Sequence, residues 1–321
     1  MRYFLIALAM LAICLLAASL YAFLRGSTRR DRSELFRSSS VAPSGRRVFR
    51  QRMEAGMQWY ESQIIRELEI ISKDGLKLKA ELIEAPNPKG LVVAAHGFRS
   101  WPSREWGPIA KYLYEQGYTV LYPYMRAHRK SEGKYITFGV KERYDIAAWA
   151  WELSRLHPDL PLFLYGQSMG GASVIFASGL DLPKNTKGII ADSAYYSPID
   201  VVGTALKTAY KVPTFPMMQL MNIWAMVLAG YSYFRVTSRQ ALDKTNLPFL
   251  FIHGTGDNLV PYQMGKRNYD ECHTDKQMFT VEGAAHCASF YAATEEYLSR
   301  LEGFLKKYGN GPCNTDNNTV K

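Results

Sequence analysis

The chain has 321 residues, 47% of them hydrophobic, and a formal net charge of +10. That length allows one large core or two modest ones. The charge excludes a nucleic-acid partner rather than implying one. Residues 25–52 hold nine Arg against Asp31 and Glu34, and Arg2 adds another, so the chain from Met53 onward carries only about +2.

Tyr3–Leu24 is an uncharged run of 22 residues, enough at ~1.5 Å per residue to cross a ~30 Å hydrocarbon core. A cleaved signal peptide is the alternative, with Phe4–Leu16 as its apolar region and Ala17-Ala18-Ser19 as the small-residue site. Apolar residues resume at Leu20–Leu24, which favours an uncleaved transmembrane anchor over residues 1–24 and a single-pass membrane protein. Ile13 is too bulky for a lipoprotein site at Cys14. The Arg cluster that follows reads as a flank facing lipid headgroups. It leaves both sides of the membrane open for the domain, because large domains are exported despite flanking charge. The anchor is expected to tether and do no more, so that a chain beginning near Arg46 should be soluble and active.

Residues 25–52 read as a basic linker, with a helix predicted over 46–63. The catalytic domain is placed at 53–308 and a polar tail at 309–321. Glu67–Ser72 and Leu76–Ile83 flank Asp74-Gly75, a hairpin signal. Leu91–Ala95 is a continuous apolar run, as a strand buried on both faces requires. Short apolar strands at Thr119–Tyr122, Leu162–Tyr165, Gly188–Ala191, Phe249–Ile252 and Gln277–Val281 alternate with helical stretches. The alternation predicts an α/β fold, a mostly parallel sheet with helices on both faces. Cys14, Cys272, Cys287 and Cys313 show no paired spacing, so neither a disulfide framework nor a metal site is expected.

Gly166-Gln167-Ser168-Met169-Gly170 fits G-x-S-x-G. The motif is short enough to arise by chance, and its context carries the weight. An apolar strand leads in, and the small residues of Gly171–Ser178 lead out, allowing a sharp strand-to-helix turn that lifts a serine hydroxyl above the sheet. Serine is a poor nucleophile without a base, and the base needs an orienting carboxylate. Among six histidines, His286 follows the last predicted strand in a small-residue loop at the carboxyl edge of the sheet. Asp257 follows Phe249–Ile252, completing the order Ser168…Asp257…His286, with Asp192 as the rival acid. His96 and His253 end strands, where histidines more often orient backbone. The backbone N–H groups of Met169 and Phe98 are the candidate oxyanion donors.

His96-Gly97-Phe98, Arg126 with Ser131-Glu132-Gly133, Gly166–Gly171, Gly254–Asp257 with Val260-Pro261, and Gly283 with His286 form a set. On these residues the chain from about 64 to 307 resembles the α/β-hydrolase superfamily, and more narrowly bacterial membrane-anchored hydrolases related to serine aminopeptidases and acyl esterases. It departs at Ala127 and Arg129, where many relatives have glycine. The insertion at about 195–247, rich in aromatic and methionine residues, carries two predicted helices, Ile199–Lys211 and Met217–Leu228, and the resemblance implies a cap over the site. Methionine adapts to varied apolar shapes, which points to a lipophilic acyl group; a helical hairpin packed on the core is the plainer alternative.

The reading is a serine hydrolase acting on a small-molecule ester or thioester through an acyl-enzyme, without cofactor or metal. An aminopeptidase or acyltransferase would use the same three residues, and a pocket carboxylate for a substrate amine would mark the peptidase. An inactive hydrolase fold serving as a membrane-bound binding module is the alternative of another class.

Overall fold

The computed structural model describes residues 1–29 and 43–309. The elements run α1 (Arg2–Ser27), α2 (Pro43–Glu61), β1 (Arg66–Ile71), β2 (Lys77–Ile83), β3 (Gly90–Ala95), α3 (Pro102–Glu115), β4 (Tyr118–Pro123), α4 (Glu142–Leu156) and β5 (Leu162–Gln167). They continue with α5 (Met169–Ala177), β6 (Thr186–Asp192), α6 (Pro198–Thr208), α7 (Thr214–Ala229), α8 (Ser238–Leu242), β7 (Phe249–Gly254), α9 (Tyr262–Glu271), β8 (Lys276–Val281), α10 (Ser289–Ala292) and α11 (Thr294–Gly309).

The eight strands form one sheet in the order β1-β2-β4-β3-β5-β6-β7-β8. The β1–β2 and β2–β4 pairs are antiparallel and every other pair is parallel. The apolar run of β3 shows why the sheet lies between two helical layers. Leu91, Val93 and Ala95 enter one core cluster with α4 and α5, while Val92 and Ala94 enter another with α3 and α11. Strand and helix signals therefore recur in alternation because each parallel crossover carries a helix back across the sheet.

The N-terminal segments differ from their sequence reading in extent. Helix α1 runs on to Ser27, and α2 begins at Pro43, so helices take both ends of the stretch read as a linker. Residues 30–42 of that stretch, and residues 310–321 of the tail with Cys313, lie outside the described residues. Nor is α1 joined to the domain by its chain alone. Phe23 is fully buried in the main core cluster, and Ser27 Oγ lies within hydrogen-bonding distance of the hydroxyls of Tyr231 and Tyr233. The Arg99 guanidinium donates to the Arg25 carbonyl at 2.6 Å, serving the open carbonyl end of the helix. Helix α2 lies across α3 where both are glycine; a Cβ on Gly107 would stand 2.5 Å from the Gly56 carbonyl carbon.

The insertion between β6 and β7 forms α6, α7 and α8. Met217, Met218 and Met221 are buried in the main core cluster. They pack the cap onto the domain.

Candidate active site

The turn from β5 into α5 positions Ser168. Its φ of 53° and ψ of −114° are strained for a residue with a side chain, and the surrounding close packing holds them in place. A Cβ on Gly166 would stand 2.2 Å from the Gly170 carbonyl oxygen, and one on Gly170 would stand 2.0 Å from that of Ala95. Only glycine allows strand and helix to close this tightly. The Ser168 N–H donates to the Asp192 carbonyl at 2.8 Å, fixing the turn against β6.

Asp257 and His286 lie on the loops after β7 and β8, at the same edge of the sheet. The loops are laced together by the N–H groups of Thr255 to Val281 and Gly256 to Ala284, both at 3.0 Å, and of Gly283 to the Thr255 hydroxyl at 2.8 Å. One Asp257 oxygen accepts the backbone N–H groups of Leu259 and Val260, at 2.9 and 2.8 Å. The other lies 2.7 Å from His286 Nδ1, and His286 Nε2 lies 2.8 Å from Ser168 Oγ. This arrangement assigns the proton on Nδ1 to the carboxylate and leaves Nε2 to accept from the hydroxyl. Burial alone would raise the pKa of Asp257, but hydrogen bonds from His253 and His286 and their charges hold it well below the ordinary carboxylate range. It therefore stays ionised at neutral pH.

The rival acid sits elsewhere. Asp192 accepts from Ser193 Oγ and Tyr297 OH, both at 2.9 Å, and from Gln167 Nε2 at 3.2 Å. Complete burial raises its pKa, and no contact with His286 is formed.

The candidate oxyanion donors sit on two different loops. Met169 is the first residue of α5, where a backbone N–H has no intrahelical partner. The N–H of Phe98 has no protein acceptor among the described residues. Histidines brace the loop that carries Phe98. His96 bonds the Gly97 carbonyl through Nδ1 and accepts the Met125 N–H, while His128 Nε2 accepts the Arg99 N–H. Burial lowers the pKa of both rings, to about 4 for His128, so both stay neutral. Ala127 and Arg129, which stand where many relatives have glycine, keep the left-handed backbone with φ of 60° and 44°. The substitution thus leaves the loop's shape glycine-like at a cost of about 1 kcal/mol each.

Glu105, on the first turn of α3, was missed by sequence reasoning. Its Oε1 accepts the Gly97 N–H at 2.6 Å, and a Cβ on Gly97 would stand 3.3 Å from that of Ser168. Burial pushes this carboxyl up to about 7, against hydrogen bonds from Ser100 and Gly97 and the charges of His286 and Arg104. The only sequence signal is an acid in the first turn of a helix, which is commonplace at helix starts. No group able to hold a metal ion occurs among the described residues.

A family model described as serine aminopeptidase, S33, matches residues 86–229. The chain is 24% identical over 199 residues to the protein YqkD of Bacillus subtilis, covering 61% of this chain and 65% of YqkD, so it spans just under two thirds of that relative. It is also 24% identical over 238 residues to YfhR of Escherichia coli, covering 70% of this chain and 74% of YfhR. Among solved structures, an esterase of Pyrococcus furiosus superposes with a TM-score of 0.64 at 25% identity, covering 78% of this chain and 93% of the esterase. With the sheet, the strand-to-helix turn at Ser168 and these likenesses in agreement, the chain has the α/β-hydrolase fold and is similar to members of that superfamily.

Proposed function

We propose that the protein is a membrane-anchored serine hydrolase that cleaves an ester or thioester of a lipophilic acyl group. The observation that carries the reading is the chain of contacts Ser168–His286–Asp257, at 2.8 and 2.7 Å. In this mechanism His286 Nε2 takes the Ser168 proton as Oγ attacks the substrate carbonyl, and Asp257 stabilises the imidazolium through Nδ1–H. The tetrahedral oxyanion is stabilised by the N–H groups of Phe98 and Met169. His286 then donates its proton to the leaving group, and water, deprotonated by the same ring, releases the acid from Ser168. The P. furiosus relative is an esterase by name, which supports ester cleavage. Helix α1 is long and apolar enough to cross a membrane, which supports the anchor and, with it, an apolar substrate.

Glu105 favours a second reading, in line with the description of the matching family. In that reading the Glu105 carboxyl, which accepts the Gly97 N–H in the turn that approaches Ser168, would bind the substrate ammonium an aminopeptidase requires.

Labelling with a fluorophosphonate probe, then a panel of p-nitrophenyl esters of graded chain length and aminoacyl p-nitroanilides, tests both. Ser168→Ala should abolish labelling and leave the fold intact, and persistent labelling would refute Ser168 as nucleophile. Cleavage of anilides that Glu105→Gln removes, with esters still cleaved, would establish the second reading.

A further inference from the structure

Helix α7 turns an apolar face outward. Ile223, Met226 and Val227 recur at the spacing of one helix face and are exposed, Val227 by 70%, with the polar Gln219 one turn before them. Phe215 and Leu228 beside them are exposed as well. From Val212 to Phe234 the chain holds no charged residue. An exposed face of this kind marks a contact with something apolar.

The neighbouring helix identifies what that is. Trp224 Nε1 donates to Ser19 Oγ at 3.0 Å, and Ser27 Oγ lies 3.2 Å from Tyr231 OH. The first pairing sets the second half of α7 against the last third of α1, and the second ties the residue just beyond the end of α7 to the end of α1. The uncharged run Tyr3–Leu24 is about 33 Å long as a helix. Only Tyr3–Cys14 is exposed on every side, and those twelve residues span about 18 Å. A hydrocarbon core is about 30 Å thick. If α1 crosses it, the remaining depth of about 12 Å has α7 beside it.

We propose that the exposed face of α7, centred on Ile223, Met226 and Val227, lies in the hydrocarbon of the membrane that α1 crosses, so that the cap is seated in the bilayer. This rests on reading α1 as a span. The occupant is lipid because the face continues one that lipid already covers: Leu16, Ala17, Ala18 and Tyr21 are the exposed residues of α1 beside it. The charge pattern fits, since the uncharged stretch is bounded by exposed basic residues, Lys211 before it and Arg235 after it, of the kind that meets headgroups. The catalytic domain then does not hang from a tether but rests on the surface, at a fixed height.

The test uses the full chain in phosphatidylcholine vesicles, with Cys14 and Cys313 changed to Ser. Single cysteines at Val227 (Val227→Cys), at Tyr21 (Tyr21→Cys) and at the distant, exposed Arg300 (Arg300→Cys) carry an environment-sensitive fluorophore, with the parent as labelling blank. Nitroxides on the upper acyl chain should quench positions 227 and 21 to within twofold of each other and leave position 300 unquenched. Quenching at 21 with position 227 open to aqueous iodide would overturn the proposal while leaving α1 as a span. Position 227 shielded from both quenchers, with dimers captured by cross-linking, would overturn it in favour of a second copy. Release of the whole chain by alkaline carbonate would instead refute the reading of α1 on which the proposal rests.

Discussion

Replacing Glu105 with Gln should stabilise the protein in alkaline solution and leave it unchanged in acid. Glu105 as a residue is half-buried, and burial of its carboxyl raises the pKa from 4.5 in the ordinary case to about 7 in the fold. Below 4.5 both folded and unfolded chains hold the proton. Between 4.5 and about 7 only the folded chain does, so stability falls as pH rises through that window. Above about 7 neither holds it, and the loss is complete. At about 1.4 kcal/mol per pH unit the window amounts to about 3 kcal/mol. The residue is partly exposed, and solvent screening brings the working figure to about 2 kcal/mol. Glutamine keeps an oxygen for the Gly97 N–H and removes the charge. Thermal unfolding of both proteins in one detergent should therefore give near parity at pH 5 and a gain of about 2 kcal/mol for the variant at pH 8. Equal stability at pH 8 would refute the reasoning, as would a variant that is weaker at both values. A destabilising carboxyl retained beside Ser168 is what a site selected for chemistry rather than stability contains.

Asp257→Asn should lower kcat steeply, by up to ~10⁴, the loss seen for the corresponding change in a serine protease, because an amide cannot stabilise the imidazolium. Asp192→Asn should cost less than about tenfold, since its partners are Gln167, Ser193 and Tyr297. Steady-state kinetics on one activated ester, with circular dichroism as the folding check, decides between the two acids. Phe23→Ala should destabilise the protein by about 3 kcal/mol, because the ring is fully buried in the domain core. An unchanged melting temperature would return α1 to the part of a simple tether.

Much of the site was legible because its parts are local. The turn at Ser168 is written in five consecutive residues whose glycines meet backbone oxygens at 2.0 to 2.2 Å when given a Cβ. His286 and Asp257 follow recognisable strands, and strand ends at the carboxyl edge of a parallel sheet converge on one place. Glu105 was not legible, since its meaning lies in a hydrogen bond to Gly97 eight residues upstream and in the approach of that turn to Ser168. The methionines of the insertion were legible as apolar, but not that Met217, Met218 and Met221 are buried while Met226 is exposed, because composition does not say which side of a helix meets the core.

The sequence by itself determined the strand-and-helix alternation, the strand-to-helix turn at Ser168 and the uncharged N-terminal run, since each is a periodicity or a short-range steric demand. Tertiary structure alone decided that His286 meets Asp257 and not Asp192. Two acids at the ends of adjacent strands look alike in sequence, and only the loop path after β7 turns one of them toward the ring. It also decided the standing of α1. Hydropathy scores a helix against a uniform solvent, whereas Ser19, Phe23 and Ser27 recur every four residues on a face that Trp224, Tyr231 and Tyr233 cover from two hundred residues away. Contacts at that separation depend on how the cap folds back over the sheet, and no local pattern carries them.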